Sequence, residues 1–160
     1  MRVILPGSYD PVTVGHLDMI KRAAERFEEV FVVAFINPEK HYRFTPEERV
    51  AMLMLACDGL DNVLVSYSSG LVVDYMREHG IERIIKGYRN TRDLEYERVQ
   101  AEWNLNRGGY ETELWEADPS LTHVSSSAVR DALDKGDDPS GLLPDAVMKY
   151  IRNIPEKEKK

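Results

Sequence analysis

Residues suited to gripping an anion occur at four places in the chain, each just after a strand-like run. The first is Pro6-Gly7-Ser8-Tyr9-Asp10-Pro11-Val12-Thr13-Val14-Gly15-His16. Gly7 and Gly15 let the backbone approach a ligand closely, and Ser8 offers a hydroxyl. His16 stands where a helix begins, and there unpaired N–H groups and the helix dipole favour negative charge. The second place is Val124-Ser125-Ser126-Ser127-Ala128-Val129-Arg130, three hydroxyls at a helix start with a guanidinium one turn on. The third is Lys86-Gly87-Tyr88-Arg89, followed by Asp93 and Glu97, and the fourth is Lys40. Taken singly, each has an ordinary explanation: a βα turn, an N-cap, a solvated basic loop, an exposed lysine. Taken together they point to a polyphosphate site. The spacing matches neither a Walker A loop nor a Gly-x-Gly-x-x-Gly fingerprint. No nucleophile triad or metal cluster stands out, which argues against covalent catalysis.

The elements that must position these residues alternate. Arg2 to Leu5, Val30 to Ile36, Val63 to Tyr67, Ile81 to Ile85 and Thr112 to Trp115 read as strands. The second is apolar throughout, as expected of a parallel strand covered on both faces. Leu17, Ile20, Ala24 and Phe27 recur at helical spacing, with Asp18 and Arg22 paired i, i+4 on the wet side. Thr45-Pro46-Glu47-Glu48 is a helix start, with Thr45 and Glu48 forming a capping box and Pro46 at the first position. That helix is expected to bury Val50, Leu53, Met54 and Cys57. Leu71 to His79 is a helix stopped by Gly80, and further helices start at Ser126 and Asp145. The helix from Leu94 to Leu105 carries two apolar sets, Leu94/Ala101/Leu105 and Tyr96/Val99/Trp103, which suggests a subunit contact. This rhythm predicts an α/β fold, a Rossmann-like open parallel five-stranded sheet with helices on both faces. In such a sheet ligands bind at the carboxyl ends of the strands, and all four clusters fall at that edge.

Composition narrows the class. The 160 residues carry 21 basic and 28 acidic side chains, a net charge of −7, so a generic nucleic-acid coat is excluded. Cys57 is the only cysteine and the four histidines are scattered, which rules out a disulfide scaffold and the usual structural zinc site. The longest apolar runs, Val30 to Ile36 and Val50 to Cys57, are far below the ~20 residues a membrane helix needs. Met1 to Gly7 is too short for a signal peptide, so a cytoplasmic protein is expected. A single domain over residues 1–153 and a polar tail over 154–160 complete the organisation.

These residues also carry a resemblance. Pro6 to His16 resembles the first signature of the nucleotidyltransferases related to class I aminoacyl-tRNA synthetases, and Val124-Ser125-Ser126-Ser127 resembles their second. Lys86 to Arg89, followed by Asp93-Leu94-Glu95-Tyr96-Glu97, narrows the resemblance to the bacterial phosphopantetheine adenylyltransferases. It extends from about residue 2 to about residue 150, with the motifs in order. The resemblance implies a Rossmann-like domain, assembled as a homohexamer, that moves AMP from ATP to 4′-phosphopantetheine in coenzyme A synthesis. It implies catalytic roles for His16 and Lys40, the first on the ATP phosphates and the second on the acceptor phosphate. Ser8, Tyr9, Gly87, Tyr88, Arg89, Glu97 and Leu121-Thr122-His123-Val124-Ser125-Ser126-Ser127 would join His16 in binding ATP. Ser8, Lys40, Val72 and Lys86 would hold phosphopantetheine. Mg²⁺ is expected with ATP, held by phosphate oxygens and water.

Four positions bear on how closely the family pattern is kept. Ser8 stands where threonine is common, Tyr9 where phenylalanine is, and Thr13 opens the His-x-Gly-His position as is typical of this subfamily. Lys86 stands where arginine is usual, and a lysine lacks the bidentate fork. Two alternatives stay open at this point. One is another transferase of the superfamily, such as a cytidylyltransferase or a nicotinamide mononucleotide adenylyltransferase. The other is a non-catalytic module that senses ATP or coenzyme A.

Overall fold

The run Val30 to Ala34 is buried on every side, and such a strand must lie inside a sheet with both faces covered. The computed structural model of the chain describes residues 1–155 and places that run in β2 (Glu29–Phe35). Its neighbours are β1 (Arg2–Gly7), β3 (Val63–Ser68), β4 (Arg83–Tyr88) and β5 (Glu111–Glu116). All pairings are parallel, and the order across the sheet is β3-β2-β1-β4-β5. The connections reverse direction between β1 and β4, which makes the carboxyl ends of those two strands the switch point.

Among the described residues six α-helices cover the sheet: α1 (Val14–Arg26), α2 (Pro46–Ala56), α3 (Val72–His79), α4 (Thr91–Gly108), α5 (Ser126–Lys135) and α6 (Asp145–Asn153). Alternation along β1 divides the core. Val3 and Leu5 join Ile20 of α1, Met52 and Leu53 of α2, Val129 of α5 and Val147 of α6. Ile4 joins Phe31, Val33, Ile84 and Met76 of α3 on the other face. The expected α/β architecture, Rossmann-like with helices on both sides, is the one observed. Local signals hold as well. Thr45 and Glu48 form the capping box, Asp18 lies 3.6 Å from Arg22, and Gly80 ends α3 at φ 64°. α4 packs on α3, β4 and β5, and Gly108 makes the approach to α3 possible. A Cβ there would sit 2.9 Å from Val73.

Two expectations change. The buried face of α2 is Arg49, Met52 and Leu53, followed by Cys57. Val50 is only half-buried and Met54 is 61% exposed. The helix is rotated from the purely apolar reading because the Arg49 side chain has a partner inside the protein. Lys86, Gly87 and Tyr88 are the last residues of β4, paired with Leu114, Trp115 and Glu116, and not a loop beyond it. Of the tail expected over 154–160, residues 156–160 lie outside the described residues, while Ile154 caps α6 and packs against the core.

Candidate active site

The segment after β1 turns sharply because Tyr9 adopts φ 49°, a left-handed conformation that non-glycine residues rarely take. Its ring folds back over the strand end, where the hydroxyl donates to the Leu5 carbonyl at 2.8 Å. Gly7 is required beneath that ring, since a Cβ would lie 3.2 Å from it. Burial holds the Tyr9 phenol well above its ordinary pKa, so it stays protonated. Its ring meets His16 edge-on, with centroids 4.9 Å apart.

His16 is the third residue of α1 and closes that helix's capping box. Thr13 N–H donates to His16 Nδ1 at 3.0 Å, and His16 N–H donates to Thr13 Oγ1 at 3.3 Å. An Nδ1 that accepts leaves the ring proton on Nε2. Burial, reinforced by the Lys86 and Arg89 charges, pulls the His16 pKa down to about 4. The imidazole is therefore neutral at pH 7 and offers one N–H.

Asp10, 2% exposed, ties this turn to two others. Its carboxylate accepts from Arg43 N–H and Phe44 N–H, both at 2.9 Å, which anchors the segment between β2 and α2. Arg130 on α5 donates to the Asp10 carbonyl at 2.9 Å and reaches the Ser127 hydroxyl at 3.1 Å. Ser126 donates to the Pro11 carbonyl at 2.8 Å, and Ser125 caps α5 by accepting from Ala128 N–H. All three serine hydroxyls therefore have protein partners. What the start of α5 presents is chiefly its first-turn backbone N–H groups, which no helical carbonyl can satisfy.

Two cavities open at the switch point. One of about 350 Å³ is lined by the β1 turn, His16, the end of β4 and the start of α5, including Ser8, Tyr9, Gly87, Tyr88, Arg89 and Ser125 to Ser127. The other, of about 320 Å³, lies between β1, β4, α3 and α4. They share Pro6, Gly7, Ser8 and Lys86. Among the described residues lining the first cavity there is no carboxylate, and its cations, Lys86 and Arg89, are paired behind the wall with Glu97 at 3.7 Å and Asp93 at 3.1 Å. His16 and the three serines, far apart in the chain, face the same space.

Comparison with known proteins follows the same residues. A family model described as cytidylyltransferase-like matches residues 4–132. The chain is 42% identical to the phosphopantetheine adenylyltransferase of Frankia casuarinae, over 94% of this chain and 96% of that one. It is 42% identical to the protein of that name from Bifidobacterium longum, over 98% and 95% of the two chains. A third, from a Nocardioides species, is 43% identical over 91% and 92%. The chain belongs to the phosphopantetheine adenylyltransferase family.

Not every residue that family membership singles out stands in the same place. Val72 lines the second cavity, and Ser8 and Lys86 line both. Leu121 and Val124 line the first, whereas Thr122 and His123 are exposed beside it. Glu97 faces the second cavity, 3.7 Å from Lys86 Nζ, which also donates to the Pro6 carbonyl at 3.2 Å. Burial raises the Glu97 pKa and Lys86 opposes that rise. Lys40 is exposed at the turn after β2 and lines neither cavity. Sequence reasoning missed Gln100, Asn104 and Thr112 of the second cavity, as well as the Asp10 hub. A carboxylate between Tyr9 and Pro11 in an otherwise buried turn was the available signal for Asp10.

Proposed function

We propose that the chain transfers the adenylyl group of ATP to 4′-phosphopantetheine, releasing pyrophosphate and forming dephospho-CoA. The observation that carries this reading is the pair of adjoining cavities with Ser8 and Lys86 in their common wall. The carboxylate-free cavity suits a triphosphate. The other mixes apolar surface from Phe35, Val72 and Ile84 with hydrogen-bonding groups on Gln100, Asn104 and Thr112, which suits the amide-bearing pantetheine arm. Its phosphate would meet the α-phosphorus at the shared wall.

The acceptor is a phosphate monoester, largely dianionic near neutral pH because its second pKa is about 6. No general base is needed. An acceptor oxygen bonds to the α-phosphorus, the bond to the bridging oxygen breaks, and pyrophosphate leaves with that electron pair, with no covalent enzyme intermediate. Catalysis is then alignment, on the order of 7–11 kcal/mol, and charge stabilisation, roughly 2.7–4 kcal/mol per donor. Neutral His16 donates its Nε2–H to developing charge without losing the proton. Lys86 and Lys40 offset repulsion between the two anions, with Lys40 acting from the exposed turn. Mg²⁺ would come with ATP and would offset charge on its phosphates, with Lys86 and the first-turn N–H groups of α5 in the cavity wall meeting the phosphate oxygens that remain.

The test is incubation with ATP, Mg²⁺ and 4′-phosphopantetheine, with mass detection of dephospho-CoA and a pyrophosphate assay across nucleotides and acceptors. Product with this pair alone is the expected result. Tight ATP binding with no pyrophosphate release from any acceptor would leave a nucleotide-binding module instead.

The same reading includes a homohexamer in the cytoplasm, where a reducing environment preserves the thiol of the product. α4 has no buried residue and exposes Tyr96, Val99, Trp103 and Leu105, while α2 exposes Met54 and Leu55. Surfaces of this kind mark subunit contacts. Sedimentation at micromolar concentration should give six times the chain mass, and a monomer would remove this part.

A further inference from the structure

Arg49 is fully buried on α2, behind the β1 turn. Its Nη1 donates to the Ser8 carbonyl at 3.0 Å, and its guanidinium lies 4.0 Å over the Tyr42 ring. Nε and Nη2 have no hydrogen-bond partner, and among the described residues no carboxylate forms a salt bridge with it. A buried, uncompensated cation is costly, and the same space could hold an apolar side chain more cheaply. Its position explains the expense. Among the described residues, the carbonyl it bonds belongs to Ser8, one of the four residues that line both cavities.

We propose that Arg49 is a positioning residue that primes the β1 turn for anionic substrates, an inference that rests on the function proposed above. The Ser8–Tyr9 peptide is trans, so its N–H points opposite to its C=O. A cation drawn to the oxygen withdraws electron density from that N–H and makes it a stronger donor on the side away from Arg49. The charge itself stays behind the turn, with no ion-pair partner among the described residues, and adds to the potential that a triphosphate meets. Tyr42 extends the clamp to the Lys40 turn. Its hydroxyl accepts from Asn37 N–H at 2.8 Å, closing the loop that carries Lys40, while its ring lies under Arg49. One side chain thereby holds Ser8 and the Lys40 turn in register.

Arg49→Gln keeps a donor but removes the charge, whereas Arg49→Lys keeps both and loses the planar fork. Calorimetric titration with ATP should weaken at least about tenfold in the Gln variant and return to within about fivefold of wild type in the Lys variant. A folded Gln variant that binds ATP within twofold of wild type would overturn the proposal, and so would a Lys variant as weak as Gln. If Arg49→Gln fails to fold by far-UV circular dichroism, the Lys variant decides alone: a loss above tenfold in a folded protein contradicts the charge role. A wild-type protein that binds ATP but makes no dephospho-CoA would instead count against the proposed function, so the two failures are separable.

Discussion

The two cavities are built differently. The first is walled by residues at strand and helix ends, with His16 and Ser125 to Ser127 held by capping, carbonyl and guanidinium contacts and the Ser8 carbonyl held by Arg49. The second takes much of its wall from α4, which has no buried residue, and from the side chains of Val72, Gln100 and Asn104. The first is preorganised by the fold and the second by side-chain packing. The charge-stabilising work should therefore concentrate in the first cavity, and selectivity for the acceptor in the second.

The largest effect that sharpens this contrast is expected at His16. Replacing it with alanine removes a donor that lines the first cavity and should lower kcat by at least ~100-fold, with the far-UV circular dichroism unchanged. Near-wild-type turnover would take the imidazole out of the chemistry. Lys40→Ala should act on the other reactant, raising KM for phosphopantetheine about fivefold, a size appropriate to an exposed charge. A change confined to the ATP dependence would overturn the assignment of Lys40 to the acceptor.

The smallest effect is one of pH. Because His16 titrates near 4 in the folded protein, kcat/KM should show no inflection from it between about pH 5.5 and 8. The same depressed value means that the neutral ring favours folding. That contribution is complete above the unfolded pKa of 6.5 and is lost as pH falls toward 4. A break near pH 6.5 that the second ionisation of the acceptor phosphate, at about 6, does not account for, and that His16→Ala abolishes, would mean that the ring is solvated.

Contiguous loops made the first cavity legible. Pro6 to His16 and Val124 to Arg130 hold their chemistry within single runs, and the parallel sheet brings them to one edge. The second cavity is scattered over α3, α4, β4 and β5 at single positions, and α4 advertised only its two apolar sets. The apolar spacing of Val50, Leu53, Met54 and Cys57 left Arg49 out of the buried face of α2, because a buried guanidinium held by one carbonyl leaves no trace in hydrophobic spacing. The serine run pointed to the right place for a partly different reason. Its hydroxyls hold the turn together, and the first-turn N–H groups of α5 are what that helix start leaves without helical carbonyls beside the first cavity.

Direct transfer between two reactants held at once across the Ser8–Lys86 wall is the centre of this account. Its most direct test is the stereochemistry at the α-phosphorus, using ATP made chiral there by sulfur and an oxygen isotope. One in-line displacement predicts inversion in the dephospho-CoA product. Retention would require two displacements through an adenylylated enzyme and would contradict it.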